Sequence, residues 1–120
     1  MPLVRVRLGM TIQLTYELSV PPTRLREVQA LFATDYLPAA RKRGMTFAGA
    51  FITPPIELDD APTTLVLQFT LPDVDAVWAM KRRVTESADV ADFWHRIDAL
   101  VVSRERRFLA PYDDAPHGEA

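Results

Sequence analysis

The chain contains no cysteine, which excludes disulfides, thiolate metal sites and cysteine nucleophiles together. Histidine is almost as scarce, with two in 120 residues. His95 sits in a helical pattern and His117 near the C-terminus, so the pair offers no metal-ligand constellation. With only four glycines there is no glycine-rich phosphate loop, and neither a nucleophile elbow nor a Ser/His/Asp pattern is present. Neither sign of charge dominates: 14 Lys and Arg against 16 Asp and Glu leave a formal charge of −2, no basis for a nucleic-acid partner. No apolar run approaches the ~20 residues that span a bilayer. Arg5 and Arg7 interrupt the apolar start, so no secretory leader and no membrane partner are expected, and the expected address is cytoplasmic.

What is present is a regular succession of patterns. Residues 11–20 alternate, with Ile12, Leu14, Tyr16 and Leu18 on one face and Thr11, Gln13, Thr15, Glu17 and Ser19 on the other, which predicts a half-buried strand. Pro21-Pro22 stops it, and Thr23 is the expected cap of a following helix, supported by Glu27 in its first turns. Leu25, Val28, Phe32, Tyr36 and Ala39 form that helix's stripe, with a kink or break at Pro38 and a C-terminal cap at Gly44. Residues 45–52 read as a second strand, 53–62 as a turn-rich connection and 63–70 as a third strand. Pro72-Asp73 opens a second helix with the stripe Val74, Val77, Trp78, Lys81 and Val84. It re-caps around Ser87-Ala88-Asp89 and continues with Val90, Phe93, Trp94, Ile97, Leu100 and Val101. The period then changes to alternation over 103–109, and Pro111 ends the element. The order β-α-β-β-α-β predicts an α+β, ferredoxin-like domain with a four-stranded antiparallel sheet and its helices on one face. Residues 11–111 form this domain. Residues 1–10 are either an extra edge strand or an extension upstream of Met10, and residues 112–120 have the composition of a flexible tail.

Two stretches carry a resemblance. Leu25 to Phe32, followed by Tyr36-Leu37-Pro38-Ala39-Ala40-Arg41-Lys42-Arg43-Gly44, resembles the first helix of the NIPSNAP family, a branch of the dimeric α+β barrel superfamily, including its leucine-proline step and basic end. Leu100 to Pro111 is similar to that family's closing strand. The resemblance spans about residues 12 to 111. Where the family often has an aspartate-proline-glutamate-tryptophan step this chain has Ser87-Ala88-Asp89-Val90, and Asp35 and Leu67 replace frequent histidines. The resemblance implies a homodimer joined sheet to sheet, each protomer holding a pocket between its own sheet and helices. Members of the superfamily range from enzymes to proteins of no assigned role, so fold does not settle function.

The candidate pocket is lined by Leu14, Tyr16, Leu67 and Phe69 from the sheet and by Phe32, Tyr36, Trp78 and Trp94 from the helices, an aromatic space that suits a planar hydrophobic ligand. The plainer alternative is that these are core residues. Asp35, beside Val28, Leu31 and Phe32, is a candidate desolvated carboxylate for acid-base work; otherwise it leans to solvent or pairs with Arg41 or another cation. Lys81 reaches either the pocket or, by snorkelling, water. His95 falls opposite the apolar stripe and reads as a surface residue. Arg104, Glu105, Arg106 and Arg107 read as paired charges on a sheet that meets a partner, or as an anion site. Two functions remain open. One is a cofactor-independent cyclase, isomerase or oxygenase of biosynthesis acting on an aromatic or polyketide-like metabolite, with Asp35 as acid or base and Tyr16 and Tyr36 as donors to an oxyanion. The other is a non-catalytic small-molecule-binding or dimeric scaffold protein. A filled cavity and an outward Asp35 favour the second. Gln13, Thr15, Gln68 and Thr70 are the expected dimer contacts.

Overall fold

A computed structural model describes residues 11–112. The readings made for residues 1–10 and for the tail beyond 112 fall outside the described residues. The strands are β1 (Ile12–Val20), β2 (Thr46–Thr53), β3 (Thr63–Leu71) and β4 (Ser103–Leu109), in the sheet order β2-β3-β1-β4 with every pairing antiparallel. The helices are α1 (Leu25–Leu31), a π-helical turn (Phe32–Tyr36), α2 (Leu37–Lys42), α3 (Val74–Thr85) and α4 (Ala88–Asp98). The split β-α-β arrangement expected from the patterns is the observed one.

The central pair β1 and β3 shows why. Ile12, Leu14, Tyr16, Leu18 and Val20 are all buried, as are Leu65, Leu67, Phe69 and Leu71. The register sets Leu14 against Phe69 and Tyr16 against Leu67, so a two-residue period on each strand builds one continuous apolar face. Val28, Phe32, Tyr36, Ala40, Val77, Met80, Phe93 and Ile97 cover that face as one core cluster. The opposite face carries Gln13, Glu17, Gln68 and Thr70.

The first helix departs from a single kinked rod. Val28, Phe32, Tyr36 and Ala40 are each no more than 3% exposed, yet they recur every four residues. In a continuous α-helix each such step advances about 40° round the axis, so Tyr36 would stand about 80° away from Val28. The π turn absorbs an extra residue, the Leu37 amide donating to the Phe32 carbonyl, and brings the stripe back onto the core. It also places Pro38 in the first turn of α2, where no backbone donor is required. Thr23 is not the cap of α1. Arg24 holds that position without a side-chain cap, its amide donating to the Pro21 carbonyl at 2.9 Å, because the Pro21-Pro22 turn carries the chain one residue further before helix begins.

The other helix boundaries follow their capping residues. Asp73 accepts from the Ala76 amide at 2.8 Å, and Ser87 accepts from the Val90 amide at 3.4 Å, so each caps its helix. Gly44 has φ +88°, the left-handed conformation that ends a helix most readily at glycine. The stripe of α3 needs correction: Val77 and Met80 are buried, whereas Val74 and Trp78 are 43% and 55% exposed. The arc of the helix turned to the sheet runs through Val77 and Met80, and Trp78 and Val74 lie outside it.

Candidate functional site

At the centre of the sheet–helix interface the Tyr16 and Tyr36 hydroxyls are hydrogen-bonded at 2.7 Å. Tyr16 comes from the middle of β1 and Tyr36 from the end of the π turn, which is what aims it inward. Around them stand Phe32, Phe69, Phe93 and Trp94. The Trp94 ring lies 4.9 Å from Tyr16, and the Phe93 ring 5.0 Å from Tyr36; most other pairs meet edge to face, the favourable geometry for ring quadrupoles. Burial pushes both tyrosines above their ordinary pKa, Tyr16 most strongly, with the Tyr36 hydroxyl adding to the effect. Their hydroxyls therefore stay protonated and able to donate.

The sequence reading missed a third member of this group. Arg43 is buried, its guanidinium carbon 5.2 Å from the centre of the Tyr36 ring. Among the described residues its Nε and Nη2 have no hydrogen-bond partner. Its positive charge acts to lower the pKa of both tyrosines, against the larger effect of burial, and Arg106 acts in the same direction. Arg106 reaches the pair because it is the cross-strand partner of Tyr16 on β4. The signal for Arg43 was present: it follows Tyr36 by seven residues and Ala40 by three, on the buried stripe. It was hidden in the run Arg41-Lys42-Arg43, which reads as favourable charge at a helix C-terminus.

The other candidates separate. Leu14, Phe32, Leu67 and Phe69 are buried in the core beneath the pair, and Trp94 is half-buried beside it. Trp94 is also covered by Arg104, whose guanidinium lies 4.5 Å from its ring and is held by Asp98 at 2.5 Å; that bond draws the Asp98 carboxyl below its usual range. Asp35 is not in the pocket. It is exposed and paired with Arg96 at 2.9 Å, so it does not face Tyr16, Trp78 and Trp94; the alternative reading, solvent and a cation, is the observed one, the cation being Arg96 rather than Arg41. The π turn that seats Tyr36 on the stripe rotates Asp35 off it. Trp78 and Lys81 lie elsewhere, Lys81 between the rings of Trp78 and Phe108 at 5.1 and 4.8 Å. They line a separate shallow groove of about 210 Å³ with Ile12 and Val77. His95 is exposed, as its place opposite the stripe implies. On the open face of β4 the charge pair is Arg107 with Glu17, not with Glu105, since Glu105 is directly opposite Glu17 in the register and the diagonal arginine separates the two carboxylates. Among the described residues no group of three or more His, Cys, Asp and Glu could hold a metal ion, and no helix is long and apolar enough to cross a membrane.

A four-stranded antiparallel sheet with helices on one face and an aromatic interior between them is a ferredoxin-like α+β fold. Comparison of solved structures gives the more particular likeness, to the NIPSNAP proteins. A NIPSNAP family protein of Agrobacterium tumefaciens superposes with a TM-score of 0.67 at 18% identity, covering 93% of this chain and 95% of that one. A NIPSNAP-like domain protein of Burkholderia xenovorans matches with a TM-score of 0.67 at 16% identity over 91% of each chain. SnoaB, a cofactor-independent oxygenase of Streptomyces nogalater, matches with a TM-score of 0.56 at 17% identity, covering 90% of this chain and 99% of that one. No protein-family model and no curated protein matches the sequence. The fold is thus the one that the helix and closing-strand resemblance implied.

Proposed function

We propose that this protein is a cofactor-independent enzyme acting on an aromatic or polyketide-like metabolite at the Tyr16–Tyr36 pair. The observation that carries the reading is a pair of buried hydroxyls, hydrogen-bonded at 2.7 Å and flanked by a buried guanidinium, inside a wall of aromatic rings. Rings bind a planar substrate by stacking. Hydroxyls held neutral and a fixed positive charge stabilise negative charge that develops on a substrate oxygen. A substrate with an acidic C–H beside a carbonyl loses its proton to water, and the resulting enolate oxygen is received by Tyr36 and Arg43. Cyclisation, isomerisation and reaction with oxygen all pass through such an enolate, and the oxygenase SnoaB shares the fold.

The test needs no knowledge of the natural substrate. An enolisable aromatic ketone such as 2-tetralone should exchange its α-hydrogens with deuterated water faster with the protein than in buffer, followed by NMR. Tyr36→Phe and Arg43→Met should each slow the exchange by on the order of 10²-fold. Binding of the ketone without accelerated exchange supports the second reading, a non-catalytic binding or scaffold protein. That reading is favoured by one observation: the rings and hydroxyls at the pair include no carboxylate or imidazole to serve as a base, Asp35 being paired outside with Arg96.

The working unit in either reading is a homodimer joined through the open sheet face, with Gln13, Thr15, Gln68 and Thr70 at the contact. Phe51 and Leu109, on that same face, are 54% and 45% exposed, apolar area that a partner sheet would cover. A monomer in analytical ultracentrifugation at micromolar concentration would rule this out.

A further inference from the structure

A buried guanidinium without a counter-charge is costly, because desolvation of the ion is not offset by a partner. Among the described residues Arg43 is in that position. It is 9% exposed, its ring contact with Tyr36 satisfies one face of the cation, and its Nε and Nη2 are shielded from solvent with no partner among the described residues. Those two nitrogens are not an arbitrary pair. They form the side-on edge of the guanidinium, two parallel N–H groups at the spacing of the two oxygens of a carboxylate. The Tyr36 hydroxyl stands close to Arg43, and the positive charge of Arg106 acts on the same tyrosine pair; a hydroxyl donor and a second positive charge both favour an anion. Arg104 is committed elsewhere, to Asp98 and Trp94.

We propose that the ligand of this site is an aromatic carboxylate, its carboxylate received by Nε and Nη2 of Arg43 and its ring placed against Trp94 and Tyr16. The inference rests on the reading of the tyrosine pair as a ligand site, and adds that the ligand is an acid. The ligand brings the negative charge that Arg43 lacks among the described residues.

The experiment compares 2-naphthoate with its neutral isostere 2-naphthamide, on the full chain and on Arg43→Lys and Arg43→Met, both checked for cooperative thermal unfolding. Affinity is read by tryptophan fluorescence, and contact by the Arg43 Nε–H signal in NMR, assigned by its loss in Arg43→Lys. The native protein should prefer naphthoate by at least about tenfold, as a charge-assisted bidentate pair does over a neutral amide, and the Arg43 signal should move on binding. Arg43→Lys retains the charge but not the fork and should lose most of the preference; Arg43→Met should abolish it. Equal affinity for acid and amide overturns the inference while leaving an aromatic ligand site in place. A preference that survives in Arg43→Met overturns it too, by locating the anion at another cation. If neither naphthalene binds, the aromatic reading fails, and a titration with acetate decides the remainder: a saturable shift of the Arg43 signal upholds a carboxylate site, and its absence removes it.

Discussion

Removing the two hydroxyls of the buried pair, one at a time and together, tests whether they act as a unit. Tyr16 donates to or accepts from Tyr36 at 2.7 Å and has no other hydrogen bond among the described residues. Tyr36→Phe therefore leaves the Tyr16 hydroxyl buried and unsatisfied, which costs about 1–3 kcal/mol. Tyr16→Phe leaves Tyr36 beside the Arg43 guanidinium, 5.2 Å from its ring centre, where a donor is at hand, so its cost should be nearer 1 kcal/mol. The double substitution removes donor and acceptor while keeping both rings, and should cost no more than Tyr36→Phe alone. The interaction energy of the cycle is then on the order of 1–2 kcal/mol, well above the few tenths at which independent sites add. Urea midpoints with an unchanged m-value measure all three variants. Strictly additive losses, or Tyr16→Phe costing more than Tyr36→Phe, would refute both the pairing and the part assigned to Arg43.

Further outcomes follow from the same packing. Both tyrosines are held protonated when folded, so above about pH 10, where the unfolded chain binds fewer protons, stability should fall by up to about 1.4 kcal/mol per pH unit for each; it is fully present below that pH. Urea midpoints of the native and doubly substituted proteins between about pH 8 and pH 11 isolate this loss from that of the lysines, and parallel curves would argue against burial of the hydroxyls. Deleting Thr34 converts the π turn to α-helix and moves Pro38 into a helix interior, costing about 3 kcal/mol or more, and Pro38→Ala should restore most of that loss in calorimetry; a deletion without effect would show that the π turn does not accommodate the proline. Trp94→Ala, in contact with four aromatic rings, should cost about 3–5 kcal/mol, whereas the exposed Trp78 and His95 should each tolerate alanine within about 0.5 kcal/mol, and equal denaturant midpoints for the three variants would put the helix phases in error.

The strands and caps were legible because their information is local. Alternation over 11–20 and 63–70 sets the buried face of each strand whatever it pairs with, and Asp73, Ser87 and Gly44 satisfy or relax backbone groups a few residues away. The pairing of Tyr16 with Tyr36 was half legible: each carried a pocket role by its place on an apolar stripe, but nothing local says that two stripes 20 residues apart meet hydroxyl to hydroxyl. Only tertiary packing decided the rest. Asp35 stands at an ideal stripe position on a regular helix, and it left the interior because the core demanded Val28, Phe32, Tyr36 and Ala40 at four-residue spacing, which an α-helix delivers only by opening one turn. Trp78 is exposed because a helix buries the arc its neighbours cover, here the one through Val77 and Met80, not every apolar residue it carries. Arg43 is the sharpest instance. Its charge made it a surface residue by sequence, and its position on the folded stripe buried it against an aromatic ring with two donors unpaired among the described residues. Periodicity records which side of an element is apolar; what stands across from that side, and which charge is caught there, is decided when the elements pack.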